Sequence, residues 1–411
     1  MSGASADTRG TSPNVPGELR PGTRMLLGPG PSDVHPRVLR AMATPLVGHL
    51  DADFLEIMND VQALLRYAFQ TSNRLTYAVS GTGSAGMETC VVNLIEPGDR
   101  MVVCVNGVFG QRMVDVAQRA GAQVTVLERP WGQVFELDAI REVLQRVRPK
   151  VLGIVHAETS TGAWQPLDGL GRLCHEWDAL LLVDTVTSLG GVPVEVDRWE
   201  ADAVYSGTQK CLSCPPGLAP VTFSERAWEA IARRKSKVQS WYLDVTLVQR
   251  YWGEERFYHH TAPISMVYAL REALRLVAEE GLPARFERHR RHHRALCAGL
   301  EALGIGFIPA PAHRLPQLNA VWIPPGVEDS AVRKQLLQEF GIEIGGGLGE
   351  FKGRAWRIGL MGYSCRAQNV LTFLAALEKC LRAQGMAVRG GGGVAAALAS
   401  YADSRASSLE P

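Results

Sequence analysis

Lys210 stands at the end of Ser206-Gly207-Thr208-Gln209-Lys210, a short polar turn. The strand-like run Ala203-Val204-Tyr205 precedes it, and a loop at Pro215-Pro216-Gly217 follows. Upstream, Leu180-Leu181-Leu182-Val183 is an apolar strand that ends in Asp184. A lysine amine forms a Schiff base with an aldehyde, and a carboxylate keeps a ring nitrogen protonated. An aspartate closing a strand, followed by a lysine in a Ser/Gly/Thr turn, is the pair that pyridoxal phosphate chemistry requires.

A phosphate needs its own cradle. Ser80-Gly81-Thr82-Gly83-Ser84-Ala85-Gly86 contains G-x-G-x-x-G between a strand, Leu75 to Val79, and a helix expected over Met87 to Leu94. Glycines let the backbone approach an anion, and a helix N-terminus offers free N–H groups and a positive dipole end. A dinucleotide would also want an acid closing the second strand. Here Met101 to Val105 runs into Asn106-Gly107, so a lone phosphate is the better ligand. Thr82 and Ser84 add hydroxyl donors.

The elements that must position these residues alternate. Strands are expected at 75–79, 101–105, 123–127, 151–156, 180–183 and 203–205, with helices at 38–42, 54–69, 87–94, 110–120, 138–147 and 170–177. Apolar strands separated by helices predict an α/β fold with a mostly parallel sheet covered on both faces. Leu26 to Ser32, LLGPGPS, reads as a rigid extended entry. Near Pro263 the texture changes to long helices, Ile264 to Glu280 and Arg285 to Leu303, then short strands (318–322, 355–360) and helices (330–339, 368–383). The expected organisation is a flexible arm over 1–24, a large cofactor-binding domain over 25–280 and a small α+β domain over 281–385. A disordered Gly/Ala/Ser-rich tail is expected over 386–411.

With these motifs in hand, the chain resembles the class V aminotransferases of fold type I. The similarity is greatest to the alanine–glyoxylate and serine–glyoxylate (serine–pyruvate) members. LLGPGPS, SGTGSAGME, NGVFGQR, HAETSTG, LLLVDTVTSLGG, YSGTQK, YHHT, GGLG and RIGLMG carry the resemblance, which spans about Leu26 to Ala383. The resemblance implies a seven-stranded-type sheet and roles position by position. Lys210 is the Schiff-base lysine and Asp184 the partner of the pyridine nitrogen. Thr82, Gly83, Ser84 and Gln209 hold the phosphate. Phe109, where animal members often carry tryptophan, stacks on the ring, and Val186 packs beneath it. Thr159 lies near the ring oxygen. Arg357 grips the substrate α-carboxylate, with Gly28 and Thr159 beside it. Tyr258 and Thr261 reach the phosphate from a partner subunit, so a homodimer with shared sites is implied. The implied reaction moves an amino group from a small amino acid, alanine or serine, to glyoxylate or pyruvate. A ureidoglycine–glyoxylate aminotransferase is the near alternative.

Composition bounds the rest. Net charge of +1 over 411 residues gives no broad pull toward nucleic acid or membrane. No run is long and apolar enough to span a bilayer, and eight cysteines, several inside apolar runs, favour buried thiols in a reducing cytosol. Cys211 and Cys214 read as small residues packed beside a loop. His289, His292 and His293 read as part of a solvated basic helix face. His49 is a candidate for the substrate mouth, His259 and His260 for the substrate shell, and Glu158 for ligand contact. A cysteine desulfurase would need Cys365 as its nucleophile. A non-catalytic cofactor-binding protein and a nicotinamide oxidoreductase are the readings from other classes.

Overall fold

The computed structural model describes residues 15–406. Seven strands form the central sheet: β1 (Leu75–Ser80), β2 (Arg100–Val105), β3 (Gln123–Glu128), β4 (Val151–Val155), β5 (Leu180–Asp184), β6 (Ala203–Tyr205) and β7 (Leu218–Phe223). Their order is β1-β7-β6-β5-β4-β2-β3. β7 runs antiparallel to both neighbours, and the remaining pairs are parallel. The strands β4 and β5 are buried along their whole length, as a sheet covered on both faces requires. Each fully buried leucine or valine there contributes about 1.5–3 kcal/mol relative to exposure. β3, at the edge, is only partly buried.

Helices cover the sheet: α1 (Pro36–Met42), α2 (Ala52–Phe69), α3 (Gly83–Leu94), α4 (Val108–Arg119), α5 (Leu137–Val147), α6 (Leu170–Glu176), α7 (Glu225–Ala232), α8 (Val245–Trp252) and α9 (Ile264–Glu280). α3 begins at Gly83, four residues before the expected Met87, so the second half of the glycine motif is helical. The glycines serve packing there: a Cβ at Gly86 would lie 3.0 Å from Ala219 Cβ and 3.2 Å from Tyr205 Cβ. The strand β7 and the helices α7 and α8 have no counterpart in the sequence reading. Pro220 inside β7 argues against a central strand, yet its carbonyl accepts from Ser206 N and the strand pairs on both sides.

Beyond α9, α10 (Leu282–Ala302) leads into the sheet β8 (Leu318–Trp322), β9 (Gly345–Gly346) and β10 (Ala355–Gly359), in the order β8-β10-β9, with α11 (Asp329–Phe340) and α12 (Ala367–Ala383). Buried residues gather into two main clusters. Leu282 and Phe286 belong to the first, around the large sheet, and Ala295 onward to the second. α10 therefore belongs to both. Leu27 joins the second cluster, because Met25 and Leu26 pair with Ile342 and Glu343. The chain thus starts in the small core before crossing to the large one.

The expectation of disorder over 386–411 is corrected. Gly392–Ala406 forms a helix, α13, with Ala397 and Tyr401 buried in the second cluster. Tyr401 hydroxyl meets His292 Nδ1 at 2.8 Å. Alanines favour helix, and apolar contacts with α10 outweigh the flanking glycines. Residues 407–411 lie outside the described residues. Of the expected arm, 1–14 likewise lie outside them, and 15–24 carry no helix or strand.

Candidate active site

β2, β4, β5 and β6 end at one edge of the large sheet, where open α/β sheets gather ligands. Asp184 closes β5 and is 3% exposed. Its Oδ1 accepts from Val186 N at 2.8 Å, and its Oδ2 accepts from the Tyr205 hydroxyl at 2.6 Å. Burial pushes the carboxyl up to about 6, against those hydrogen bonds.

Lys210 follows β6 and is 9% exposed. The LLGPGPS segment wraps it. Ser32 Oγ donates to the Lys210 carbonyl at 2.7 Å, Ser32 N donates to Gln209 O at 2.9 Å, and Lys210 Nζ donates to the Pro29 carbonyl. Gly30 has φ +112°, and a Cβ there would lie 2.6 Å from Lys210 Nζ. Only a glycine lets this strap close over the lysine. Burial first, and Arg357 second, bring the Lys210 amine down to about 8.

Arg357 projects from β10 and is 8% exposed. Its Nε donates to Gly346 O at 2.8 Å, and Nη1 reaches Thr159 O at 3.5 Å. Its guanidinium makes no ion pair within 4.0 Å among the described residues. Burial lowers it to about 10. Gly28 and Gly345 lie together, with Gly345 pressed on Pro29. Pro29 therefore joins the lysine turn beside the large sheet to the Arg357 corner of the small sheet.

The glycine motif meets the same edge. Thr82 caps α3 without a side-chain cap bond, and a Cβ at Gly83 would lie 3.4 Å from Val186 Cγ2. Ser84 Oγ accepts from Arg112 at 3.4 Å, and that guanidinium lies 4.8 Å from the Phe109 ring centroid. Gln209 Oε1 is buried and has no hydrogen-bond partner among the described residues.

Two residues at this edge have roles the sequence did not reveal. Glu158 is fully buried, but it faces the start of α4 instead of an open site. Its Oε2 accepts from Phe109 N at 3.1 Å and Gly110 N at 3.3 Å, and its Oε1 accepts from Ser160 N at 3.0 Å and Ser160 Oγ at 2.6 Å. It caps a helix N-terminus and orients Phe109. Tyr205 is the second, visible only once β5 and β6 are in register.

Tyr258 and Thr261 are not brought to the lysine. Tyr258 is 52% exposed beside His49, with ring centroids 5.2 Å apart, and Thr261 is exposed. Between them, His260 Nε2 meets Ser80 Oγ at 2.7 Å, and His259 stacks on Trp241.

The histidines of α10 correct the expected solvated face. His289 is fully buried, with Nδ1 on Arg285 O at 2.8 Å and Nε2 accepting from Gly362 N at 3.0 Å. His292 is also buried. Among the described residues no group of three His, Cys, Asp or Glu could hold a metal. Cys211, Cys214 and Cys365 are buried free thiols. Burial pushes Cys365 up to about 12, which leaves it without the thiolate a desulfurase needs.

A parallel-centred sheet with a buried lysine, a strand-end aspartate and a helix that opens on a glycine motif at one edge defines a fold type I pyridoxal phosphate enzyme. The family described as aminotransferase class-V matches residues 26–367, and the chain belongs to it. It is similar to the (S)-ureidoglycine–glyoxylate transaminase of Bacillus subtilis, with 44% identity over 93% of this chain and 97% of that one. It is 42% identical to the alanine–glyoxylate aminotransferase of Mus musculus over 88% of each chain. The crystal structure of an alanine–glyoxylate aminotransferase from Nostoc sp. superposes with a TM-score of 0.89 at 53% identity, covering 90% of this chain and 98% of that one.

The family's cofactor is pyridoxal 5′-phosphate, and the residues present fit it. The N-terminus of α3, where the Thr82 side chain makes no cap bond, suits a phosphate. Asp184 and Lys210 suit the ring nitrogen and the aldehyde. No helix among the described residues is long and apolar enough to cross a membrane.

Proposed function

We propose that this aminotransferase moves the amino group of a small amino acid, alanine or serine, to glyoxylate or pyruvate. The observation that carries the reading is Arg357: a buried guanidinium with no ion pair within 4.0 Å among the described residues, beside Lys210 and among Gly28, Gly345 and Gly346. Such a group is built to receive a carboxylate in bidentate fashion. When bound, the cofactor supplies an aldehyde for the lysine amine and a sink for the electrons released at the substrate Cα.

The chain's own residues do the rest. Thr82, Gly83, Ser84 and Gln209 would hold the phosphate. Val186 and Phe109 would flank the ring, and the Thr159 hydroxyl would serve its oxygen. Asp184 would hold a proton on the ring nitrogen. Lys210 Nζ, once free, would take the proton from the substrate Cα as a base and deliver it as an acid to the carbon that carried the cofactor's aldehyde. Arg357, with Gly28 and Thr159 beside it, fixes the substrate carboxylate so that the Cα–H bond faces that amine.

Removing Arg357 tests the carboxylate site. Arg357→Ala is expected to raise KM for amino and oxo acids about 10- to 100-fold, the worth of a charged hydrogen-bonded pair, and Arg357→Lys restores little of it. Unchanged KM values would place the carboxylate elsewhere. A panel of alanine, serine and ureidoglycine against glyoxylate and pyruvate decides the substrate. Ureidoglycine is the second reading, favoured by the 93% coverage of the Bacillus subtilis relative. Turnover restricted to large or acidic donors would reject both.

The active unit proposed is a homodimer with Tyr258 and Thr261 completing the partner's phosphate site. Supporting this, Trp241 (61% exposed), Tyr242, Phe257 and Tyr258 form an uncovered aromatic surface, of the composition found at interface centres. Mixing Lys210→Ala chains with Tyr258→Phe/Thr261→Ala chains tests it. In a shared arrangement each mixed dimer has one site with both defects and one with neither, so activity recovers toward half of wild type. Absence of recovery, with subunit exchange demonstrated, would assign both residues to their own subunit's site.

A further inference from the structure

Both oxygens of Asp184 are already engaged by the protein, one by a backbone N–H and the other by the Tyr205 hydroxyl. The phenol is held firmly. Asp184 and Tyr205 lie opposite each other in the parallel pair β5–β6. The Tyr205 carbonyl accepts from Thr185 N and Thr185 Oγ1, both at 2.9 Å. The side chain is fully buried, and α3 packs against its Cβ at Gly86. Burial and the Asp184 charge push the phenol well above its ordinary range, so Tyr205 keeps its proton and acts as the donor.

The geometry points to Tyr205 as a positioning residue that biases the proton shared by Asp184 and the cofactor's ring nitrogen toward the nitrogen. The inference rests on Asp184 facing that nitrogen, as proposed above. At a buried carboxyl, the charged arrangement, protonated nitrogen against carboxylate, competes with a neutral one in which the carboxyl keeps the proton. Burial favours the neutral arrangement. A hydroxyl donated to Oδ2 stabilises the carboxylate and opposes it. Two other charged groups bear on Asp184 and act in opposite senses: Glu158 raises its affinity for a proton and Lys210 lowers it, both more weakly than the Tyr205 hydrogen bond. Cys90, also buried nearby, stays a neutral thiol because burial raises it far above its ordinary range. Tyr205 is thus the side-chain donor that keeps Asp184 ionised.

The test uses holoenzyme carrying cofactor labelled with nitrogen-15 in the ring, as wild type, Tyr205→Phe and Asp184→Asn. In Tyr205→Phe the nitrogen resonance is expected to move part of the way from the protonated toward the unprotonated position. Turnover should fall about tenfold, within the general acid–base range, with KM little changed. Reloading with an analogue whose ring nitrogen is replaced by C–H removes the shared proton, and wild type and Tyr205→Phe should then turn over equally. If Asp184→Asn moves the resonance and Tyr205→Phe does not, the inference is overturned while the Asp184 assignment stands. If neither moves it, both fail. An equal loss with the C–H analogue would make the phenol a packing group and overturn the inference. Should Tyr205→Phe not retain cofactor, Tyr205→4-aminophenylalanine, a weaker donor of similar shape, gives the same readout.

Discussion

Lys210→Ala is expected to lower transamination by at least about 10³-fold, since it removes both the covalent anchor and the proton-transferring amine. The fold should survive, because the lysine head is held by one carbonyl, Pro29 O, and removing it relieves a buried cation. Borohydride reduction should fix the chromophore covalently to wild type and not to the variant. Retention of the reduced chromophore on Lys210→Ala would sink the assignment. A pH dependence follows from the same burial. With its amine brought down to about 8, Lys210 is mostly ammonium at pH 6 and mostly free amine at pH 9. Capture of pyridoxal phosphate by the cofactor-free protein should therefore quicken as pH rises through about 8 and then level off. A midpoint near 10.4, the ordinary lysine value, would mean the amine is not buried in solution.

Asp184→Asn is expected to keep the cofactor bound and lose at least about 10²-fold in turnover, because a neutral amide cannot hold the ring nitrogen protonated. The amide oxygen can still accept from Val186 N while the amide NH2 donates to the Tyr205 hydroxyl, so β5 and β6 should stay in register. Absorbance titration with cofactor would show near-stoichiometric binding alongside the lost turnover. Turnover within about threefold of wild type would mean that another residue serves the ring nitrogen.

The sequence by itself determined the chemistry and most of the scaffold. Lys210 after a short strand, Asp184 closing an apolar strand and the glycines before α3 are local patterns, each written in a few consecutive residues. The alternation of apolar strands and helices is likewise local, and it recovers the parallel sheet because a strand buried on both faces must be apolar throughout.

What tertiary structure decided is what depends on register and on long-range burial. Tyr205 reaches Asp184 because two strands are paired, not because of their spacing in the chain. Glu158 reads as a ligand-contacting acid, and only the approach of α4 turns it into a helix cap. His289 reads as part of a solvated basic helix face, and only the fold buries it, with its Nε2 accepting from the distant Gly362 N. The helix α13 hides in a glycine- and alanine-rich tail because its apolar face is small, and it is stable against α10 rather than alone. Arg357 belongs to this second group in its energetics. Its place on a strand is local, but the absence of an ion pair within 4.0 Å among the described residues is a property of everything that folds around it. That buried, unpaired guanidinium is what supports the proposal of a carboxylate site at that corner.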